Sequence, residues 1–172
     1  MHFKRYSAVL VFCLAILALV ACSDATSAKK DYGTLPRITG TSFDGVKVDT
    51  DALRGKVLIV DIWASWCPPC RKEIPGFIEL QKQYASKGLQ VIGVSLCRSA
   101  DEHTNFAKQN GINYPSVFVG DDPKIVDAIG EKVGAINGIP TTIIVDKKGN
   151  IVFKHVGYGD KASFEAEINK YL

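Results

Sequence analysis

Metal-ligand pairs are scarce in this chain. Its 172 residues hold three histidines, and no His-x-x-x-His pair and no second Cys-x-x-Cys accompany Cys67 and Cys70. A structural zinc site needs further ligands of that kind, so the pattern argues against one. No basic patch with interleaved aromatics is present. The formal charge is only +3, part of it from Lys4 and Arg5, which leaves no case for nucleic acid. No repeat or low-complexity stretch divides the chain. The uncharged run from Tyr6 to Ala21 falls short of the roughly 20 residues that a membrane-spanning helix needs.

What the chain does have is Trp66-Cys67-Pro68-Pro69-Cys70. The motif follows the apolar run Val57–Trp63, which reads as a buried strand, and precedes a helical pattern. Two cysteines at that junction put one sulfur at the helix N-terminus and the other a turn inside, within bonding reach. A purely structural disulfide closing so short a loop would constrain little of the unfolded chain. Redox chemistry is the better reading.

The first residues read as a targeting segment. His2, Lys4 and Arg5 are followed by the uncharged run, which ends in Leu19-Val20-Ala21-Cys22. That ending resembles the bacterial lipoprotein signal, in which the cysteine is acylated and becomes the first residue. The expected division is a signal peptide over 1–21, a flexible polar tether over 22–33 and one domain over 34–172. Lipid on Cys22 would hold the protein at a membrane surface without spanning it. Export would allow a lasting Cys67–Cys70 disulfide. Cys13 would leave with the signal and Cys97 would remain as an odd thiol. Ser23 after Cys22 points toward the outer membrane under the sorting rule of enteric-type bacteria, although the choice of membrane stays open.

The rest of the pattern predicts an α/β fold with a central sheet and helices on both faces. Short extended pieces flank Phe43-Asp44-Gly45. A helix after Cys67 carries Ile74, Phe77, Ile78 and Tyr84 on one face and stops at Gly88. Gln90–Leu96 reads as a second buried strand. Ser99 and Glu102 form a capping box for a helix to about Gln109. A short strand spans Tyr114–Val119, and Asp122-Pro123 opens a further helix. Thr141–Val145 and Ile151–Val156 form a hairpin, and Asp160 caps the last helix, with Phe164, Ile168, Tyr171 and Leu172 inward.

This order, with Gly138-Ile139-Pro140-Thr141 ahead of the terminal hairpin, resembles the thioredoxin fold. Within it, the chain resembles the membrane-tethered ResA/TlpA-type thiol–disulfide oxidoreductases. The matching features are the extension Leu35–Leu53, Gly55-Lys56, Trp-Cys-Pro-Pro-Cys, Arg71-Lys72-Glu73-Ile74-Pro75 and an insertion near Ser99–Lys132. The resemblance implies that Cys67 attacks and Cys70 resolves. It implies a cis Pro140, with Ile139 offering its backbone to a bound peptide; sequence alone would favour a trans bond. Asp61 stands where thioredoxins carry a buried acid and many ResA/TlpA relatives carry Asn.

Physical chemistry agrees with these roles. The positive end of the helix favours a thiolate at Cys67. Asp61, between Val60 and Ile62, would have its pKa raised by burial toward the range of a general base. The other reading of Asp61 is an exposed carboxylate at a strand end. Pro68 and Pro69 leave the Cys70 N–H as the main donor to a Cys67 thiolate, which tilts the site toward reduction or isomerisation. Trp66 lines the lip of the site and Trp63 the core. Glu73 reads by default as part of a solvated helix face, with tuning of the cysteines as the sharper alternative. His103 and His155 read as surface residues, and Pro75 as a helix kink.

The implied function is a periplasmic thiol–disulfide oxidoreductase that reduces exported proteins, apocytochrome c among them. Its electrons would come from a membrane donor of the DsbD or CcdA type. A monomer without metal or organic cofactor is expected. The alternative is a copper-binding chaperone of the Sco kind, but those need wider cysteine spacing and a placed histidine. A peroxidase of the same superfold would need a Pro-x-x-x-Thr-x-x-Cys pattern that is missing. Cys97, at the end of its strand, is either a packed thiol or a third redox thiol.

Overall fold

The computed structural model describes residues 31–120 and 124–172. The expected signal peptide 1–21, Cys22 and the tether up to residue 30 lie outside them, as does Asp122-Pro123. Among the described residues no helix is long and apolar enough to cross a membrane.

Two short strands, β1 (Thr39–Thr41) and β2 (Lys47–Asp49), pair antiparallel around the predicted turn. The core sheet holds β3 (Val57–Trp63), β4 (Leu89–Ser95), β5 (Ser116–Phe118), β6 (Thr141–Val145) and β7 (Ile151–Val156), in the order β5-β4-β3-β6-β7. β3 runs parallel to β4 and antiparallel to β6, so the sheet is mixed. The helices are α1 (Pro68–Tyr84), α2 (Ala100–Gln109), α3 (Lys124–Val133) and α4 (Lys161–Ile168).

β3 is buried at every position because helices cover both faces of the sheet. Its alternation still sorts side chains. Val57, Ile59 and Trp63 pack with Ile74, Phe77 and Leu80 of α1 and with Phe164 and Ile168 of α4. Leu58, Val60 and Ile62 pack with Val126, Ile129 and Val133 of α3 and with Leu35, Ile38 and Val48 of the N-terminal extension. Each fully buried side chain of this size contributes about 1.5–3 kcal/mol. Asp61 shares the first face, the one under α1.

Local signals account for the element ends. Gly88, with φ of 98°, closes the turn after α1. Asp160 accepts the Ser163 N–H at 2.8 Å and starts α4. Gly93 in β4 is required by close approach, since a Cβ there would lie 2.9 Å from Trp63 Nε1 and 2.8 Å from Ser116 Cβ.

Two expectations fail. His103 is not a surface residue; it is 2% exposed, because Phe43 of the extension and Phe118 of β5 close over it beside Trp63. Burial lowers its pKa from 6.5 to about 4. The capping box at α2 is half formed. Ser99 accepts the Glu102 N–H at 3.1 Å, but the Glu102 carboxylate holds the Arg98 N–H and the Ser65 hydroxyl instead of returning to Ser99.

Candidate active site

The loop after β3 is fastened to the carboxyl end of β4. Leu96 N–H donates to Trp63 O at 2.8 Å, and Trp66 Nε1–H donates to Leu96 O at 3.2 Å. Ser65 N–H donates to Cys97 Sγ at 3.3 Å, and the Ser65 hydroxyl to Glu102. This fixes where Cys67 begins α1. Cys67 is the N-cap, with extended φ and ψ of −96° and 105°, and Pro68 and Pro69 fill the first helical positions.

Cys67 and Cys70 are joined as a disulfide with their Cα atoms 5.3 Å apart. Cys70 N–H lies 3.2 Å from Cys67 Sγ and donates toward it. In the reduced protein that donor and the helix end would stabilise a Cys67 thiolate. Cys70 is 1% exposed, while Trp66, Pro68 and Pro69 stand exposed around the pair. The Ile139–Pro140 bond is cis, as the family pattern implies. Ile139 O lies 3.7 Å from Cys67 Sγ, which brings the loop before β6 against that sulfur. Gly157 N–H donates to Pro140 O at 2.8 Å and ties the segment after β7 to the same place.

Asp61 is 1% exposed, so the strand-end reading does not hold. Burial and, after it, the charge of Glu73 hold its carboxyl well above the usual range. Glu73 is not on a solvated face either. It is 3% exposed, because the segment leading into α4 folds over it and Gly159 N–H donates to Oε1 at 2.9 Å. Burial pushes Glu73 from 4.5 up to about 7, against the opposing pull of that hydrogen bond. The two carboxyls sit on adjacent layers, one on β3 and one on α1, close enough for the charge of Glu73 to act on Asp61.

Tyr114 and Thr142 belong to the same neighbourhood and escaped sequence reasoning. Thr142 is the direct partner of Asp61 across β3 and β6. Tyr114 is 2% exposed, and its phenol is pushed up by burial and by the charges of Asp61 and Glu73. Neither residue type signals a site in a linear pattern.

His155 lies away from any ligand set. Its Nε2 contacts Tyr158 O at 3.2 Å and its ring packs on Phe153 and Phe164. Among the described residues no group of three His, Cys, Asp or Glu side chains gathers as a metal site. Cys97 is free and buried, 3% exposed.

Comparison with known proteins agrees with this geometry. The Redoxin family model matches residues 29–172. The chain is 30% identical over 135 residues to the thiol-disulfide oxidoreductase ResA of Bacillus thuringiensis, covering 78% of this chain and 75% of that one. It is 31% identical to the thioredoxin-like protein YneN of Bacillus subtilis, covering 84% and 85%. Among solved structures, a thiol:disulfide interchange protein of the thioredoxin family from Chlorobium tepidum matches with TM-score 0.75 and 33% identity. That match covers 83% of this chain and 97% of the other. The chain belongs to the Redoxin family and is a thiol–disulfide oxidoreductase of the ResA/TlpA type, with the thioredoxin fold.

Proposed function

We propose that the protein reduces disulfides of exported proteins in the bacterial periplasm, held at a membrane by lipid on Cys22, with one domain over 34–172. The observation that carries this reading is the Cys67–Cys70 pair at the N-terminus of α1, above a buried Asp61. In the reduced enzyme, the Cys67 thiolate attacks one sulfur of a substrate disulfide. A Cys67–substrate disulfide forms, and the other substrate sulfur leaves as a thiolate. Cys70 then gives its proton to Asp61 and attacks Cys67 Sγ. The second substrate thiolate leaves, and the Cys67–Cys70 disulfide is restored. Two electrons have passed to the substrate. A membrane dithiol carrier of the DsbD or CcdA type then reduces the Cys67–Cys70 disulfide with two further electrons and is itself oxidised to a disulfide.

Trp66, Ile139 and Pro140 form the surface on which the substrate lies, with the Ile139 backbone available for pairing to an extended peptide. Apocytochrome c is the substrate suggested by the ResA resemblance. The test is trapping in the periplasm of the native host. Cys70→Ala should accumulate mixed disulfides that a reductant releases, and Cys67→Ala should accumulate none. Mixed disulfides on Cys67→Ala alone would reverse the two roles.

A further inference from the structure

Four buried side-chain oxygens make no hydrogen bond to any described protein group: Asp61 Oδ1, Glu73 Oε2, Tyr114 OH and Thr142 Oγ1. They come from β3, α1, the segment before β5, and β6. They are not scattered. Asp61 and Thr142 are register partners on the face under α1, and Tyr114 senses the charges of both carboxyls. Tyr114 also packs in the same apolar cluster as Cys70. Buried polar atoms are rarely left unpaired, so a group of four calls for a shared explanation.

The charges supply it. The two carboxyls repel each other, and among the described residues no cation offsets them: burial and Glu73 act on Asp61, while burial and the Gly159 N–H act on Glu73. β4 contributes only Gly93 opposite Asp61. On β7, His155 lies next to Thr142, but its Nε2 is engaged with Tyr158 O. From α4, Lys161 pairs instead with Glu79 at 3.2 Å. Two such carboxyls titrate as a pair and hold one proton between them over a broad range. The single negative charge left must be solvated from inside, and Tyr114 and Thr142 carry the uncommitted hydroxyl donors beside it.

We propose that Asp61, Glu73, Tyr114 and Thr142 form one buried proton site, in which the carboxyl pair takes the Cys70 proton and the two hydroxyls, through ordered water, solvate the carboxylate present before transfer. This rests on the reading of Asp61 as the proton acceptor and extends it. In the resolving step the Cys70 S–H bond breaks and the proton joins the singly charged pair. The Cys70 thiolate bonds to Cys67 Sγ, and the substrate thiolate leaves. Tyr114 and Thr142 are positioning residues whose hydroxyls hydrogen-bond to neither sulfur.

The experiment is the pH profile of substrate-disulfide reduction by the full-length reduced protein, for wild type, Tyr114→Phe, Thr142→Val and Asp61→Asn. Phe and Val keep the buried shape and remove one hydroxyl each. Loss of a hydrogen bond to a charged group should move the midpoint of the profile to higher pH by about one unit in Tyr114→Phe. Thr142→Val should move it in the same direction. Profiles of both variants that superimpose on wild type, with that of Asp61→Asn altered, would overturn the four-residue site and leave Asp61 as the acceptor. An unaltered Asp61→Asn profile would overturn the acceptor reading itself.

Discussion

Cys97 Sγ accepts the backbone N–H of Ser65, 3.3 Å away and two residues ahead of Cys67. The third thiol of the domain is therefore a fastener of the active-site loop. Its sulfur is buried and already occupied, which is the packed-thiol reading.

Cys97 should resist alkylation in the oxidised native protein and react once the chain is unfolded, as mass spectrometry after brief maleimide treatment would report. Cys97→Ala removes the acceptor and should cost about 1 kcal/mol of stability while leaving reductase activity near wild type. Rapid native alkylation, or loss of a mixed disulfide in this variant, would restore the redox reading.

Asp61→Asn trades function for stability. A buried acid without a cation opposes folding once it ionises, so the amide should raise stability at alkaline pH. The same change should slow substrate reduction near neutral pH, because Cys70 loses its acceptor. Thermal unfolding and turnover measured on one preparation test both halves.

Glu73 and His103 should pull stability in opposite directions as pH changes. Glu73 is held at about 7 against an unfolded value of 4.5. Between those limits the unfolded chain has lost a proton that the folded chain keeps, so stability falls as pH rises. His103 is held at about 4 against 6.5. There the unfolded chain binds the extra proton, so its contribution is complete above 6.5 and is lost as pH falls toward 4. Each effect has an upper bound of about 3 kcal/mol, reduced by solvent screening. Asp61, held well above its ordinary range by burial, adds a second falling contribution, so denaturant unfolding of wild type should show stability falling as pH rises from 4.5 to 6.5. Glu73→Gln, which keeps an acceptor for the Gly159 N–H, should flatten that fall. A Glu73→Gln profile that falls as steeply as wild type would contradict the buried-acid assignment.

The sheet and the cysteine pair were legible because their signals are local. A seven-residue apolar run marked β3, the turn residues Asp146–Asn150 marked the β6–β7 hairpin, and two cysteines three apart marked the head of α1. Glu73 and His103 were misread because distant segments bury them. The segment around Gly159 covers one, and Phe43 with Phe118 covers the other. Helical spacing reports which face a residue occupies, but not which distant segment folds over that face. Glu102 shows the same limit, since the Ser65 hydroxyl from another element claims its carboxylate.

The N-terminal extension does more than add a small ribbon. Thr34 bridges to Asn150 at the start of β7, and Ser42 bridges to Val117 of β5. Ile151 N–H donates to Gly33 O at 2.8 Å, and Phe43 N–H to Ser116 O at 3.3 Å. One strap thus reaches both outer strands of the sheet and covers backbone groups that would otherwise recruit a neighbouring chain. A protein concentrated at a membrane meets copies of itself far more often than one diffusing freely. If lipid on Cys22 holds the chain at a membrane as proposed, the covered edges would limit strand-to-strand pairing between crowded copies.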